Sequence, residues 1–186
     1  MTTPRPRFIL INGAPRAGKD TIGRYVYDEY SSTFERFSRP HKEAFAAMTN
    51  SSIDEFFNVA YYEDHKSECI PWLNTTYRQW QIDFSESFMK PRYGNDVFGR
   101  MMVHRTTSTA HLYIVPDCGF QIEIDCLRDY DCMLIRVDRR GCNFIDDSRN
   151  YVQPAPQWAF HHINNDGSLE DLYIAVDKVV QPWIVK

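Results

Sequence analysis

The sequence predicts an α/β fold, a three-layer α/β/α arrangement in which helices cover both faces of a mainly parallel sheet. Three observations point there. Short apolar runs alternate with segments whose apolar residues recur at helical spacing. A Gly/Ala/Pro-rich loop separates the first run from the first helix. The 186 residues, 43% hydrophobic and 25% charged, hold no internal repeat and no linker, which suits one domain spanning 1–186.

In chain order, Arg7 to Asn12 is an apolar run after a proline and predicts a buried strand. Gly13 to Gly18 predicts a loop. From Lys19 to Tyr30, Ile22, Tyr25, Val26 and Tyr30 fall on one helical face. Residues 33–38 alternate like a short strand, and Pro40 suits a first helical turn that leads into Lys42 to Met48. Helices are expected over Ile53–Tyr62, over Asn74–Phe88 until Pro91 and Gly94 interrupt, and over Asp96–Arg105. His111–Pro116, Cys132–Val137 and Trp158–Ile163 read as further buried strands, with a helix over Phe120–Asp129 between the first two. Arg139 to Pro156 is polar and reads as a long, lid-like loop. Ser168 opens a last helix to Val180, with Asp171 placed for a capping box. The helical insertion over about 40–105 is large for so small a sheet.

Composition narrows the function. No apolar run approaches the roughly 18 residues of a membrane helix, and Phe8–Ile11 is too short for a signal-peptide core, so no membrane role and a cytoplasmic location are expected. Five cysteines, an odd count without CxxC spacing, suggest neither a zinc site nor a disulfide framework. The net charge of −4 disfavours non-specific nucleic-acid binding. It is uneven: residues 1–50 carry 8 basic and 5 acidic side chains, residues 117–186 carry 7 and 12. A site for a small anion is therefore sought first in the N-terminal third. Aromatics make up 15% of the chain, which suits a ring-packed core, stacking on a flat ligand, or a homodimer contact.

The most informative segment is Phe8 to Thr21, FILINGAPRAGKDT, which contains G-x-x-x-x-G-K from Gly13 to Lys19. A buried strand before it and a helix after it are the context this motif needs. Glycines let backbone N–H groups turn toward phosphate oxygens, the helix N-terminus adds positive potential, and Lys19 adds a full charge. The position after the lysine, normally a magnesium-binding Ser or Thr, holds Asp20, with Thr21 next, so either residue is a candidate for the metal.

This loop resembles that of the tailed-phage deoxynucleoside monophosphate kinases, in which the G-K-D-T variant occurs. Further segments are similar in the same order: Phe37 to Lys42 (FSRPHK), Tyr77-Arg78, Lys90, Tyr93 to Phe98 (YGNDVF), Tyr113 to Asp117 (YIVPD) and Ile163 to Leu172 (INNDGSLEDL). The acceptor-side matches are looser, and the chain looks shorter than some members there, which leaves the substrate open. The resemblance implies a P-loop kinase fold with a central five-stranded sheet of nucleoside-monophosphate-kinase type. It implies transfer of the γ-phosphoryl group of ATP, with Mg2+, to a deoxynucleoside monophosphate, supplying phage DNA precursors in the host cytoplasm.

The residue roles follow from chemistry and resemblance together. Gly13, Ala14, Arg16, Ala17, Gly18, Lys19, Asp20 and Thr21 would cradle the donor phosphates, with Asn165 and Gly167 near its base. Asp117, at the end of a predicted strand, would orient the acceptor oxygen or a metal-bound water; as a cap for the helix near Gly119 it would be structural. Arg39, Lys42 and Arg78 would clamp the acceptor phosphate, with Lys90, Arg92 and Arg100 as further cations. Tyr77, Trp80 and Phe84 form a stripe that either walls the base or packs the core. Arg136, Arg139, Arg140 and Arg149 flank or lie in the lid, and Arg139 and Arg140, just after a strand, are preferred as the arginines closing on the transferred phosphate. His161 and His162 point to opposite faces of a strand and read as structural. Two other functions stay open: a kinase acting on a hydroxymethyl-pyrimidine within DNA, the one reading with a DNA partner, and a nucleotide-binding module without turnover.

Overall fold

The structure, a computed structural model, describes residues 5–52, 65–106, 111–145 and 147–185. The chain opens with β1 (Arg7–Gly13), α1 (Lys19–Glu29), β2 (Thr33–Phe34) and α2 (Arg39–Thr49). A small antiparallel hairpin follows, β3 (Cys69–Ile70) and β4 (Thr75–Thr76). Then α3 (Tyr77–Ile82) runs into a π-helical stretch (Asp83–Met89) and on into α4 (Lys90–Tyr93). The remainder is α5 (Val97–Thr106), β5 (Leu112–Cys118), α6 (Gln121–Asp125), β6 (Asp131–Asp138), β7 (Ala159–Asn164) and α7 (Leu169–Ile184).

Five strands form one sheet in the order β2-β5-β1-β6-β7, and all four pairings are parallel. β1 lies at its centre because Phe8, Ile9, Leu10 and Ile11 are all apolar and can be buried on both faces. Their alternation feeds two cores. Phe8 and Leu10 pack with Phe98 and Met102 of α5 and Ile124 of α6. Ile9 and Ile11 pack with Ile22 and Val26 of α1 and Val176 and Val180 of α7. From β1 the chain winds first toward β2, and after β5 it crosses to β6 on the other side. The crevice at the C-terminal ends of β1, β5 and β6 is therefore the switch point at which such sheets bind ligands.

Several sequence expectations change. Within 33–38 only Thr33 and Phe34 are strand, because the amides of Phe37 and Ser38 donate to Asp117 and turn the chain into α2. The insertion is not wholly helical: Thr75 and Thr76 pair with Ile70 and Cys69. The helix expected from Asn74 begins at Tyr77, where the Thr76 side chain accepts from the Gln79 amide. Pro91 does not interrupt the run; it follows directly on the π-helical stretch, the kind of irregular turn that accommodates a missing N–H, and Gly94 ends the run. β5 continues past Pro116 because β2 pairs only with Tyr113 and Ile114, so no ladder bond is needed at the proline from that side. The helix expected over Phe120–Asp129 is regular only over Gln121–Asp125. α7 extends to Ile184 behind its Ser168–Asp171 capping box. The helix expected over Ile53–Tyr62 lies outside the described residues. No helix among the described residues is long and apolar enough to cross a membrane, and the five cysteines are free thiols.

Candidate active site

The site starts where β1 ends. Gly13 closes the strand, Ala14 and Ala17 are buried, and Arg16 is exposed with φ 65°. Gly18 has φ 104°, a conformation that disfavours any side chain, and a Cβ there would lie 2.3 Å from Asn165 Nδ2. The amides of Gly18, Lys19 and Asp20 donate to no group among the described residues. They are open donors at the positive end of α1.

Lys19 is the buried cation of this loop. Its Nζ donates to the Ala14 carbonyl at 2.7 Å. Burial pulls its pKa down first and the nearby Arg149 guanidinium second; Asp20, Asp147 and Asp117 oppose them. Three carboxylates and one arginine therefore face one ammonium.

Asp20 sits on the first turn of α1 with Oδ1 2.6 Å from the Arg36 guanidinium. Thr21 is exposed. Asp117, near the end of β5, accepts the Phe37 and Ser38 amides, both at 3.0 Å. It thus anchors the N-terminal approach to α2, not the helix after Gly119, whose start at Phe120 has no side-chain cap. Both Asp117 oxygens hold backbone donors, so the carboxylate is fixed in place beside the phosphate loop.

The arginines divide differently from the sequence expectation. Arg139 and Arg140 are exposed in the turn after β6, and the Arg140 amide donates to Asp166 in the β7–α7 connection. They face that turn. Arg149 instead approaches Lys19, and its guanidinium holds Asp147 at 2.8 and 2.6 Å. Arg149 lies across Gly119, where a Cβ would meet its Cγ at 2.6 Å. The side chain of Asp147 is only 9% exposed, and its pKa is lowered to about 2, chiefly by this hydrogen-bonded pair, with Arg78 contributing. Arg78 of α3, in the insertion, thus adds positive potential at the same carboxylate. Arg136 packs against Tyr151 and Phe160 and donates to the Val152 carbonyl.

On the acceptor side, Arg39 pairs with Glu43 and Glu35, and Lys42 is buried. Lys90 holds Glu86 at 2.5 Å and lies 4.1 Å from the centre of the Phe120 ring. Arg92 lies over Phe88, and Arg100 pairs with Asp96. Trp80, Phe84 and Phe88 stack in succession along α3 and the π-helical stretch. The edge of Phe45 meets Trp80 and Tyr77, so the stripe is seated on α2 as part of a small core.

Asn165 and Gly167 lie after β7. Asn165 Nδ2 donates to the Ala17 carbonyl at 2.8 Å, which clamps the phosphate loop. Gly167 lies in the turn just before the Ser168 cap. His162 Nε2 pairs with Asp138 at 2.5 Å on the surface.

Three residues escaped the sequence reading. Asn12, fully buried, donates to the carbonyls of Cys118 at 2.7 Å and Asn150 at 3.0 Å, and its Oδ1 accepts from the Val152 amide. It ties the lid segment to the end of β1; a polar residue ending an apolar strand was the only sequence signal. His41 and Glu123 are buried on the acceptor side. No local pattern marks either.

No protein-family model matches the chain, and no curated protein matches it in sequence. Among solved structures it is similar to a protein assigned as a kinase from Chloroflexus aurantiacus J-10-fl, with a TM-score of 0.51 at 11% identity over 97% of this chain and 99% of that one. An unliganded sugar kinase from Janibacter sp. HTCC2649 superposes at a TM-score of 0.45 and 12% identity, over 96% and 95% of the two chains. At such identities the likeness speaks to fold: a mostly parallel five-stranded sheet with flanking helices, of the α/β kinase kind.

Proposed function

We propose that the chain is an ATP-dependent phosphotransferase acting on a deoxynucleoside monophosphate. The observation that carries this reading is the buried Lys19 in a strand–loop–helix cradle, beside Asp117 and the Asp147–Arg149 pair. A buried ammonium among open backbone donors suits the terminal phosphates of a nucleoside triphosphate. Asp117, held by the Phe37 and Ser38 amides, would orient an acceptor oxygen. Arg149, released from Asp147, would meet the charge that develops on the transferred group. The monophosphate acceptor and a role in supplying phage DNA precursors rest on the family resemblance of the phosphate loop and of the YIVPD and NDGSLEDL segments. The residues at hand for Mg2+ are Asp20, whose Oδ1 pairs with the Arg36 guanidinium, and the exposed Thr21 hydroxyl. The metal would neutralise phosphate charge.

Coupled ATP turnover with each deoxynucleoside monophosphate tests the proposal. Stimulation by at least one of them, lost in Lys19→Ala, is expected. Transfer of labelled phosphate to hydroxymethylated DNA but to no free nucleotide would replace this acceptor. Nucleotide binding with no transfer at all would make the chain a binding module.

A further inference from the structure

Arg36 follows β2 by two residues and is 7% exposed. Its Nη2 donates to Asp20 Oδ1 at 2.6 Å, and its guanidinium lies 4.9 Å from the centre of the Phe34 ring. Both contacts fix it against α1. Asp20 is on the first turn of that helix, and a Cβ on Gly23, three residues further, would meet Phe34 Cε2 at 3.1 Å. The backbone is held as well. The Arg36 amide donates to Glu35 Oε1 at 2.9 Å, and its carbonyl accepts from Arg105 Nη2 at 3.0 Å. The next two amides, of Phe37 and Ser38, are those that Asp117 anchors. Arg36 therefore stands between the phosphate loop and the end of β5, at the switch-point crevice. Its guanidinium is under-used there. Of its five N–H donors, one serves Asp20, and the Nε is buried without a partner. Buried donors are normally paired, so spare ones beside a phosphate loop call for an anion. Arg39, three residues on, is already engaged by Glu35 and Glu43.

We propose that Asp20 is a positioning residue and not a metal ligand: it holds Arg36 at the crevice, where the guanidinium binds the phosphate of the acceptor. The inference rests on the monophosphate-kinase reading above and concerns how that site grips its substrate. Asp20 stands directly after the loop lysine, where a metal-binding hydroxyl is usual. A divalent cation on this carboxylate would set a second positive charge against the guanidinium and leave a buried arginine without its partner. A phosphate does the opposite. Its oxygens take the spare donors while Asp20 keeps the planar fork from turning. Thr21 then remains the residue at hand for Mg2+.

The test is steady-state phosphorylation of dAMP, dCMP, dGMP and TMP by the full chain and by Asp20→Ala, Asp20→Asn, Arg36→Lys and the Asp20→Ala/Arg36→Lys double variant. Asp20→Ala and Arg36→Lys should each raise the acceptor KM at least about 10-fold while leaving the KM for ATP within about 2-fold. The factor should be the same for every acceptor turned over, because the phosphate is common to all. The double variant should lose no more than Arg36→Lys alone. Asp20→Asn keeps an acceptor oxygen for Arg36 and should recover part of the loss. Mn2+ binding to the enzyme–ADP complex, followed by electron paramagnetic resonance, should stay within about 2-fold in Asp20→Ala. Should Arg36→Lys fail to fold, Asp20→Ala, Asp20→Asn and the Mn2+ titration still decide. Mn2+ binding weakened about 10-fold or more makes Asp20 a metal ligand. A lower Tm with an unchanged acceptor KM makes the ion pair a structural tie, and additive losses detach Asp20 from Arg36. Each of these overturns the assignment and leaves the kinase reading intact, whereas turnover of none of the four acceptors removes both.

Discussion

Asn165 Nδ2 donates to the Ala17 carbonyl at 2.8 Å, joining the β7–α7 turn to the phosphate loop across 148 residues of sequence. The contact is possible because Gly18 has no side chain there. The cradle is thus shaped by two distant segments together. Gly18→Ala should therefore destabilise the chain by about 1–3 kcal/mol, through a strained φ and a displaced Asn165 amide. Thermal unfolding and ATP titration would show a lower Tm with nucleotide binding lost. Asn165→Ala should cost about 1 kcal/mol and raise the KM for ATP more than it lowers kcat.

Lys19 is the opposite case, a residue kept at the expense of stability. Burial lowers its pKa, so folding disfavours its charge, and this unfavourable contribution fades as pH rises through the lowered folded-state value. Lys19→Met should leave Tm unchanged or raise it, while phosphoryl transfer falls by at least about 100-fold. A Tm drop of several degrees would mean that the lysine is structural.

Arg149, not Arg139 or Arg140, lies beside Lys19. Arg149→Ala should lower kcat by about 100-fold or more, and Arg139→Ala or Arg140→Ala by much less. Single-turnover phosphoryl transfer by the three variants separates them. Equal losses would show that the lid brings all three to the phosphate.

Asp147 supplies a pH-dependent contribution to stability. Its folded pKa is depressed to about 2, so the Asp147–Arg149 pair stabilises the fold above the ordinary carboxylate value of roughly 4 and is lost as pH falls toward 2. Denaturation midpoints measured from pH 6 down to 2 should fall less steeply for Asp147→Asn than for the wild type.

Asn12 pins the lid segment. Asn12→Ala removes three hydrogen bonds and leaves buried partners unsatisfied, at a cost of about 2–4 kcal/mol. That should lower Tm by roughly 5–15 °C for a domain of this size. Limited proteolysis should then cut within 139–156 before the rest of the chain; unchanged cleavage there would detach Asn12 from any lid function.

The local parts of the fold were legible from the chain. The apolar run Phe8–Ile11, the Gly13–Lys19 loop, the helix after it and the Ser168–Asp171 cap all follow from contacts within a few residues, where side-chain period and hydrogen-bond reach leave little choice. Even so, local signals misplaced Pro91, which the preceding π-helical stretch lets the run pass through. Only packing between distant segments settles which of the lid arginines approaches Lys19, that Asp117 holds the approach to α2, and that Glu123 is buried. Those outcomes depend on segments far apart in sequence packing at one sheet edge. An arginine or a glutamate looks the same in sequence whether it ends in water or beside a buried ammonium, because its chemistry is set by burial and by neighbours that only the fold supplies.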